Sequence, residues 1–177
     1  MTQETGTKTD QLVKKLTELL SMPTQIVPQE FITFRDKEWK KGSYDNQLGM
    51  DSLFLEWTLL RHKQIDAPSS WMNDGSIDGI KIDFKEIKPQ FKTFGIPSIE
   101  KFEQFQESIN TNELEYFAFY NTKRNYKTER SLRTGDKVKF IFKGTAKAQD
   151  ALDSSALSQF PSGYKFVSLS SPIIRLL

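Results

Sequence analysis

The amino-acid sequence predicts an α/β fold in which a central mixed β-sheet is flanked by helices. Helix and strand patterns follow one another in an irregular order, which favours a mixed sheet over a purely parallel one. Asp78-Gly79 lies between two short runs with strand character and is typical of a two-residue hairpin turn. Residues 114–121 are nearly all apolar, as expected of a strand that is covered on both faces.

The elements before the hairpin are predicted to be a helix, a short strand and a second helix. The first helix covers residues 10–20, where apolar side chains recur every three or four positions. The short strand covers residues 30–34. Either Asp51 or Ser52 caps the second helix, which ends near Ile65.

The strand that follows the hairpin turn alternates cleanly, with apolar side chains on one face and Lys81, Asp83 and Lys85 on the other. The remaining elements are predicted from the same periodicities and from turn residues. They are a loop at 89–97, a helix at 99–109 capped by Ser98, a strand at 114–121, a basic loop at 122–137, a strand at 138–142, a helix near 146–157 and a last strand at 164–169.

Composition limits the chemistry that the chain can perform. It has no cysteine and a single histidine, His62. Disulfide scaffolds, thiolate zinc sites, cysteine nucleophiles and a multi-histidine metal site within one chain are therefore excluded. The 25 basic and 23 acidic residues give a net charge of +2, which excludes a histone-like polycation. Carboxylates, lysines, hydroxyls and backbone groups remain for catalysis or binding.

The 177-residue length predicts one domain, over residues 10–177 after a disordered leader at 1–9. No run of about 18 apolar residues is present, and the N-terminus lacks the basic-then-apolar order of a signal peptide. We therefore expect a cytoplasmic protein with no membrane partner.

The hairpin predicts a candidate metal site. A two-residue turn at Asp78-Gly79 places Asp74 opposite Asp83, with Lys85 one step further on the same face. Like charges directly opposite one another destabilise a sheet, so this pairing favours a bound cation or a protonated carboxyl. Mg²⁺ is typically held by one or two carboxylates together with water and phosphate oxygens. Two acids and a lysine around such an ion suit phosphodiester hydrolysis.

The spacing of Asp74 and the run Asp83-Phe84-Lys85 resembles the signature of the PD-(D/E)XK nuclease superfamily. The core of that family is a helix, an antiparallel hairpin, a strand, a helix and another strand, and residues 51–120 are predicted to have this order. The resemblance implies a restriction-endonuclease-like core and an Mg²⁺ ion, with Mn²⁺ as a substitute. The residue before Asp74 is Asn73, where the family often has proline. The roles that the resemblance implies are metal ligation by Asp74, Asp83, the Phe84 carbonyl and Glu56, and catalysis by Lys85, with Glu56 and either Gln104 or Gln106 taking part.

Other interpretations of the same residues remain open. Glu86 and Lys88 form a second acid–x–lysine run, but continued alternation places them on the apolar face. Asp78 is an alternative first acid, although it belongs to the turn. In an ordinary hairpin these acids would be turn formers beside a solvated strand face, and Glu56 an exposed helix position.

A basic segment follows the candidate site. Residues 121–150 carry nine Lys or Arg residues against three acids. Such a segment is typical of a surface that contacts a nucleic-acid backbone, although a solvated loop would have the same composition. The candidate nucleic-acid contacts are Lys123, Arg124, Lys127, Arg130, Arg133 and Lys137.

These patterns together predict an Mg²⁺-dependent endonuclease with DNA as its partner. Cutting both strands of a duplex calls for two active sites, so a homodimer is expected for that activity. Two alternatives are a non-catalytic nucleic-acid-binding protein on the same fold and a phage-type accessory protein that binds a protein partner.

Overall fold

The computed structural model describes residues 2–40, 50–68, 72–87, 93–96, 99–124, 132–153, 156–157, 165–168 and 175–176. Five helices occur in this part of the chain: α1 (Thr2–Leu20), α2 (Gln29–Lys40), α3 (Met50–Arg61), α4 (Ile99–Asn110) and α5 (Ala148–Asp153). The strands are β1 (Gln25–Ile26), β2 (Gly75–Ile77), β3 (Ile80–Glu86), β4 (Thr93–Ile96), β5 (Tyr116–Arg124), β6 (Lys137–Lys147), β7 (Ala156–Leu157), β8 (Lys165–Ser168) and β9 (Arg175–Leu176).

The main sheet has the strand order β1–β6–β5–β3–β2, and β9 also pairs with β6. Strands β3 and β5 are parallel, with Asp83 beside Phe117, whereas the other pairs in this sheet are antiparallel. Strands β4, β8 and β7 form a separate antiparallel sheet. The predicted α/β fold with a mixed central sheet is therefore confirmed.

Helices cover both faces of the main sheet. On one face, α1, α2 and α3 pack against buried residues such as Ile82, Phe84 and Phe140. On the other face, α4 and α5 pack against residues that include Phe117 and Phe119. Strand β5 is thus buried on both sides, as its nearly continuous apolar sequence predicts.

Residues 30–34, predicted as a strand, are helical and belong to α2. Phe31 is fully buried, Phe34 is half-buried, and the Arg35 guanidinium donates to the Leu132 carbonyl oxygen. Buried positions three and four residues apart lie on one face of a helix, so packing against α3 and the loop before β6 selects the helix. The strand prediction was wrong because five residues are too short a window to separate the two periodicities.

Helix α1 begins at Thr2, inside the segment expected to be a disordered leader at 1–9. Lys8 Nζ lies 2.8 Å from a Glu115 carboxylate oxygen, and the Thr9 hydroxyl lies 3.0 Å from the Tyr116 hydroxyl. These tertiary contacts stabilise helical residues that precede the apolar pattern from which the helix was predicted.

Two predicted boundaries in the second half of the chain differ as well. Thr93–Ile96 was expected to be a loop but forms β4, because it pairs with β8 from the C-terminal region. Ala146 was expected to begin a helix but pairs with Phe117 at the end of β6. Among the described residues of this segment, Ala148–Asp153 are helical. Pairing between distant segments determines both outcomes, and local periodicity does not report it.

In the part of the chain that the structure describes, no helix is both long enough and apolar enough to cross a bilayer.

Candidate functional site

The hairpin has the predicted register. Asp78 and Gly79 form the turn with φ values of +52° and +78°, and Gly75 pairs with Ile82. The Asp74 amide donates to the Ile82 carbonyl oxygen over 2.9 Å, a bond that a regular pair of Asp74 with Asp83 would not make, so the regular register ends at Gly75. The predicted pairing of Asp74 with Asp83 is therefore not part of the ladder, although the Asp74 carboxyl lies close enough to Asp83 for the charge of Asp83 to raise its pKa. Because β2 spans three residues and β3 spans seven, the C-terminal half of β3 extends past the described end of β2.

Asp74 occupies the notch where β2 ends. Its Oδ2 atom accepts a hydrogen bond from the Phe84 backbone amide over 2.8 Å, so a side chain, and not the backbone of a neighbouring strand, satisfies this amide. The chain beside it is held by two reciprocal hydrogen bonds between the backbones of Asp66 and Ser76. This arrangement fixes the position of the Asp74 carboxylate relative to β3.

Asp83 and Lys85 form an ion pair on the face of β3 that α4 covers. Lys85 Nζ lies 2.8 Å from Asp83 Oδ2, with side-chain exposures of 24% and 12%. The same ammonium lies 4.5 Å from the ring centroid of Phe105 and 6.0 Å from that of Phe117. Asp83 Oδ2 is buried and, among the described residues, accepts no hydrogen bond of good geometry.

Glu56, on α3, completes the cluster. Burial, followed by repulsion from Asp83, raises the pKa of Glu56 to about 7 from an ordinary value of 4.5. A hydrogen bond with Asp74 and the charge of Lys85 act in the opposite direction. The structure therefore brings together the three acids and the lysine that the sequence singled out.

The pKa values of Asp74 and Lys85 are shifted for related reasons. Burial raises the pKa of Asp74 well above its usual range, and the nearby charges of Asp83 and Glu56 raise it further. Burial alone would lower the pKa of Lys85, but the surrounding carboxylates, Asp83 first, outweigh it and raise that pKa. Lys85 therefore stays protonated at neutral pH.

The donor set fits a hard divalent cation that keeps part of its water shell. No three carboxylate or imidazole side chains among the described residues are arranged as a complete metal-binding group. Mg²⁺ commonly takes only one or two protein carboxylates, so Asp74 and Asp83 are sufficient in number. Asp83 Oδ2 is buried with the Lys85 ammonium beside it, so a bound ion would share this oxygen with Lys85.

The Phe84 carbonyl oxygen has the orientation that its predicted role requires. In an extended strand the N–H and C=O of one residue point to the same side. Because the Phe84 N–H points towards Asp74, its carbonyl oxygen faces the same notch.

The predicted helix glutamines are not brought to the cluster. Gln106 exchanges hydrogen bonds with Gln149 on α5, with donor–acceptor distances of 2.7 and 3.1 Å. Among the described residues, the Gln104 side chain makes no hydrogen bond with the acids or with Lys85, and its backbone carbonyl accepts from the Ser108 hydroxyl. The predicted catalytic role of Gln104 therefore has no support from its position, because its neighbour Phe105 occupies the helix face that covers Lys85.

The alternative acids lie elsewhere. Glu86 is exposed at the end of β3 rather than buried on the apolar face, and Lys88 lies outside the described residues. Asp78 is exposed in the turn and forms an ion pair with Lys15 of α1. Of the competing motifs, the set of Asp74, Asp83 and Lys85 is the one that forms a cluster.

The basic segment is divided by the fold. Lys123, Arg133 and Lys137 are exposed. Arg124 is not a surface contact as predicted, because β5 extends to this residue and its side chain, 6% exposed, lies 3.9 Å from Asp136. Lys127 and Arg130 lie outside the described residues.

A groove beside the cluster was not anticipated from the sequence. Its volume is about 440 Å³, and it is lined by Phe34, Leu53, Glu56, Trp57, Leu60 and Arg61. The sequence holds one indication of this groove, because Trp57 and Arg61 are four residues apart and are therefore neighbours on one helix face. The sequence could not show it, because the second wall of the groove comes from α2, which was predicted as a strand.

The chain matches no protein-family model, and no curated protein or solved structure has significant similarity to it.

Proposed function

We propose that this protein is an Mg²⁺-dependent endonuclease that hydrolyses DNA phosphodiester bonds. The observation that carries the proposal is the convergence of Glu56, Asp74 and Asp83 on a single lysine, Lys85, in a largely buried site. Buried charges are costly unless they are paired, and one ammonium cannot neutralise three carboxylates. A site of this composition gains stability from a bound cation.

Each group has a role that follows from its position. Asp74, Asp83 and the Phe84 carbonyl would hold Mg²⁺, with Glu56 close enough to assist. When bound, Mg²⁺ supplies Lewis-acid stabilisation of the charge that develops on a phosphoryl oxygen. Lys85, which stays protonated beside the carboxylates, would supply a positive charge that faces the phosphate.

The element order supports a restriction-endonuclease-like core. Helix α3 is followed by the β2–β3 hairpin, then by α4, and then by β5, which lies parallel to β3. The strand that the resemblance implies between the hairpin and α4 corresponds to β4, which pairs in the second sheet. This departure affects the periphery of the core and leaves the strands that carry the site unchanged.

A plasmid-nicking assay tests the proposal. We expect wild-type protein to nick DNA with Mg²⁺ or Mn²⁺ and to lose this activity in EDTA. Asp83→Asn and Lys85→Ala should each lower the rate by about 10²-fold or more, since the first weakens the hold on Mg²⁺ and the second removes a positive charge that faces the reacting phosphate.

Two variants serve as matched controls. Lys81→Ala removes a lysine from the same face of β3, where its Nζ donates to the Asn112 carbonyl oxygen. Asp78→Asn removes an exposed acid in the turn. Both should cleave at the wild-type rate, and an Asp83→Asn protein that nicks as fast as wild type would exclude this site.

A second candidate function is non-catalytic nucleic-acid binding. It is favoured by the internal pairing of the cluster, in which Asp83 already has Lys85 and Asp74 already has the Phe84 amide. Under this alternative the exposed residues Lys123, Arg133 and Lys137 bind the phosphate backbone. Salt-dependent DNA binding without metal-dependent nicking would favour it.

A further inference from the structure

The groove between α2 and α3 shares one residue with the candidate catalytic cluster. Glu56 belongs to both, since it lines the groove and interacts with Asp74 and Asp83. The groove is therefore a candidate place for the nucleotide that adjoins a phosphate held at the carboxylates.

The main wall of the groove is an aromatic surface held in one orientation. The Trp57 indole stacks on Phe54 at 6.2 Å with an interplanar angle of 22°. It also makes an edge contact with Phe31 at 5.6 Å. Both phenylalanines are fully buried, so the core fixes the indole before any ligand arrives. A fixed aromatic surface binds a planar ligand without a large loss of side-chain entropy.

The outer end of the groove carries positive charge. The Arg61 guanidinium lies 5.0 Å from the Trp57 ring centroid and also contacts the Glu30 carboxylate. Glu56 and Arg61 are separated along α3 by about 7.5 Å of helical rise. The groove therefore has apolar aromatic walls, the Glu56 carboxyl at one end, and at the other end the Arg61 guanidinium, which is paired with Glu30.

We propose that this groove binds an unpaired nucleobase next to the scissile phosphate, and that the substrate is therefore single-stranded or locally unpaired nucleic acid. The inference rests on the proposed nuclease function. The base takes the place of the Arg61 guanidinium over the Trp57 ring, and the displaced guanidinium turns to the neighbouring phosphate. A paired base cannot enter because its faces are covered by its neighbours in the duplex.

An abasic scan tests this binding mode without relying on cleavage. A short dye-labelled DNA strand, with one base removed at each position in turn, is titrated with the Lys85→Ala protein in Mg²⁺, and the Kd is measured by fluorescence anisotropy. We expect one position at which removal of the base raises the Kd about tenfold or more. The same removal within a fully paired duplex should have no effect.

Variants of Trp57 identify the groove as the place where that base binds. In a Lys85→Ala, Trp57→Leu protein the sensitive position should become insensitive, whereas Trp57→Phe should keep it because stacking remains. Ile26→Ala, which alters an exposed apolar residue of β1 outside the lining of the groove, is the control and should leave the scan unchanged.

A flat scan in the Lys85→Ala protein overturns the inference, even if the Trp57 variants do not fold. A sensitive position that persists in Trp57→Leu overturns it too. So does a flat scan accompanied by a dimer that Trp57→Leu dissociates, because the groove would then hold a second copy of the chain. Nicking with a flat scan overturns the base subsite alone, whereas a Trp57-dependent position without nicking overturns the proposed activity alone.

Discussion

Glu56 is the side chain whose acid–base behaviour the fold changes most clearly. It moves from an ordinary carboxyl to one with a pKa of about 7, because burial and the charge of Asp83 both disfavour its ionised form. Lys85 and the hydrogen bond with Asp74 offset part of this effect. Near neutral pH the cluster is therefore poised between two protonation states, and a cation would favour the ionised one.

We predict that this carboxyl makes the protein less stable as the pH rises from about 4.5 to about 7 without metal. Over that range the folded state holds a proton that the unfolded chain has released, so the free energy of unfolding falls with pH and levels off above 7. The change from 4.5 to about 7 corresponds to a loss of about 3 kcal/mol. Urea unfolding between pH 4.5 and pH 8 in EDTA measures it.

Glu56→Gln should reduce the slope of that profile and make the protein more stable than wild type at pH 8, because the amide cannot ionise, whereas Asp74, whose pKa is also raised, keeps part of the slope. Glu103→Gln, at an exposed position of α4, is the matched control and should keep the wild-type slope. A Glu56→Gln profile with the wild-type slope would show that another group titrates in this range.

Among the elements, the β2–β3 hairpin positions the site through a close backbone approach at Gly75. A Cβ atom there would lie 2.7 Å from the Asp66 carbonyl oxygen and 2.9 Å from Ile65 Cδ1. The first of these is backbone and is held by hydrogen bonds to Ser76, so it cannot move aside easily. Gly75 therefore keeps the edge of β2 close enough to orient Asp74.

We predict that Gly75→Ala lowers the free energy of unfolding by about 1–3 kcal/mol through this overpacking. It should also reduce nicking, because it displaces the adjacent Asp74. Gly79→Asn is the matched control, since a Cβ at Gly79 meets nothing within 4 Å and asparagine tolerates a positive φ. Chemical denaturation and the nicking assay together check both variants, and an unchanged Gly75→Ala protein would contradict the role of the close approach.

The same element shows which parts of the structure the sequence could predict. The register of the hairpin from Gly75 to Ile82 followed from Asp78-Gly79 and strict alternation, and Asp74, Asp83 and Lys85 lie together as expected, although Asp74 is outside the regular ladder. Glu56 came from a resemblance, and its proximity depends on the packing of α3 against the hairpin. Helix α2 and strand β4 were missed because contacts with distant segments select them, and no local pattern encodes those contacts.

At the scale of the whole molecule, a bound divalent ion and folding should be coupled. An ion that binds the cluster in the folded state, and not in the unfolded chain, stabilises the fold by an amount that grows with the logarithm of its concentration relative to Kd. We expect a bound cation to stabilise the folded state, because the site holds more carboxylates than lysines.

We predict that Mg²⁺ at about 100 times its Kd stabilises the wild-type protein at pH 8 by about 2.7 kcal/mol. For a chain of 177 residues this corresponds to a rise in Tm of roughly 5–10 °C. Asp83→Asn should lose most of the rise, whereas Asp78→Asn should keep it. Thermal unfolding with and without the ion measures the shift, and equal shifts in both variants would place the ion elsewhere.

The hydrogen bond from the Phe84 amide to Asp74 also makes the site observable by spectroscopy. This proton belongs to the backbone of a buried strand, yet a side-chain oxygen holds it. Its chemical shift and its exchange rate with solvent deuterium will respond to a proton or a metal ion on that carboxylate. One resonance in an amide NMR spectrum can therefore follow occupancy of the site in the intact protein, without a substrate and without a substitution.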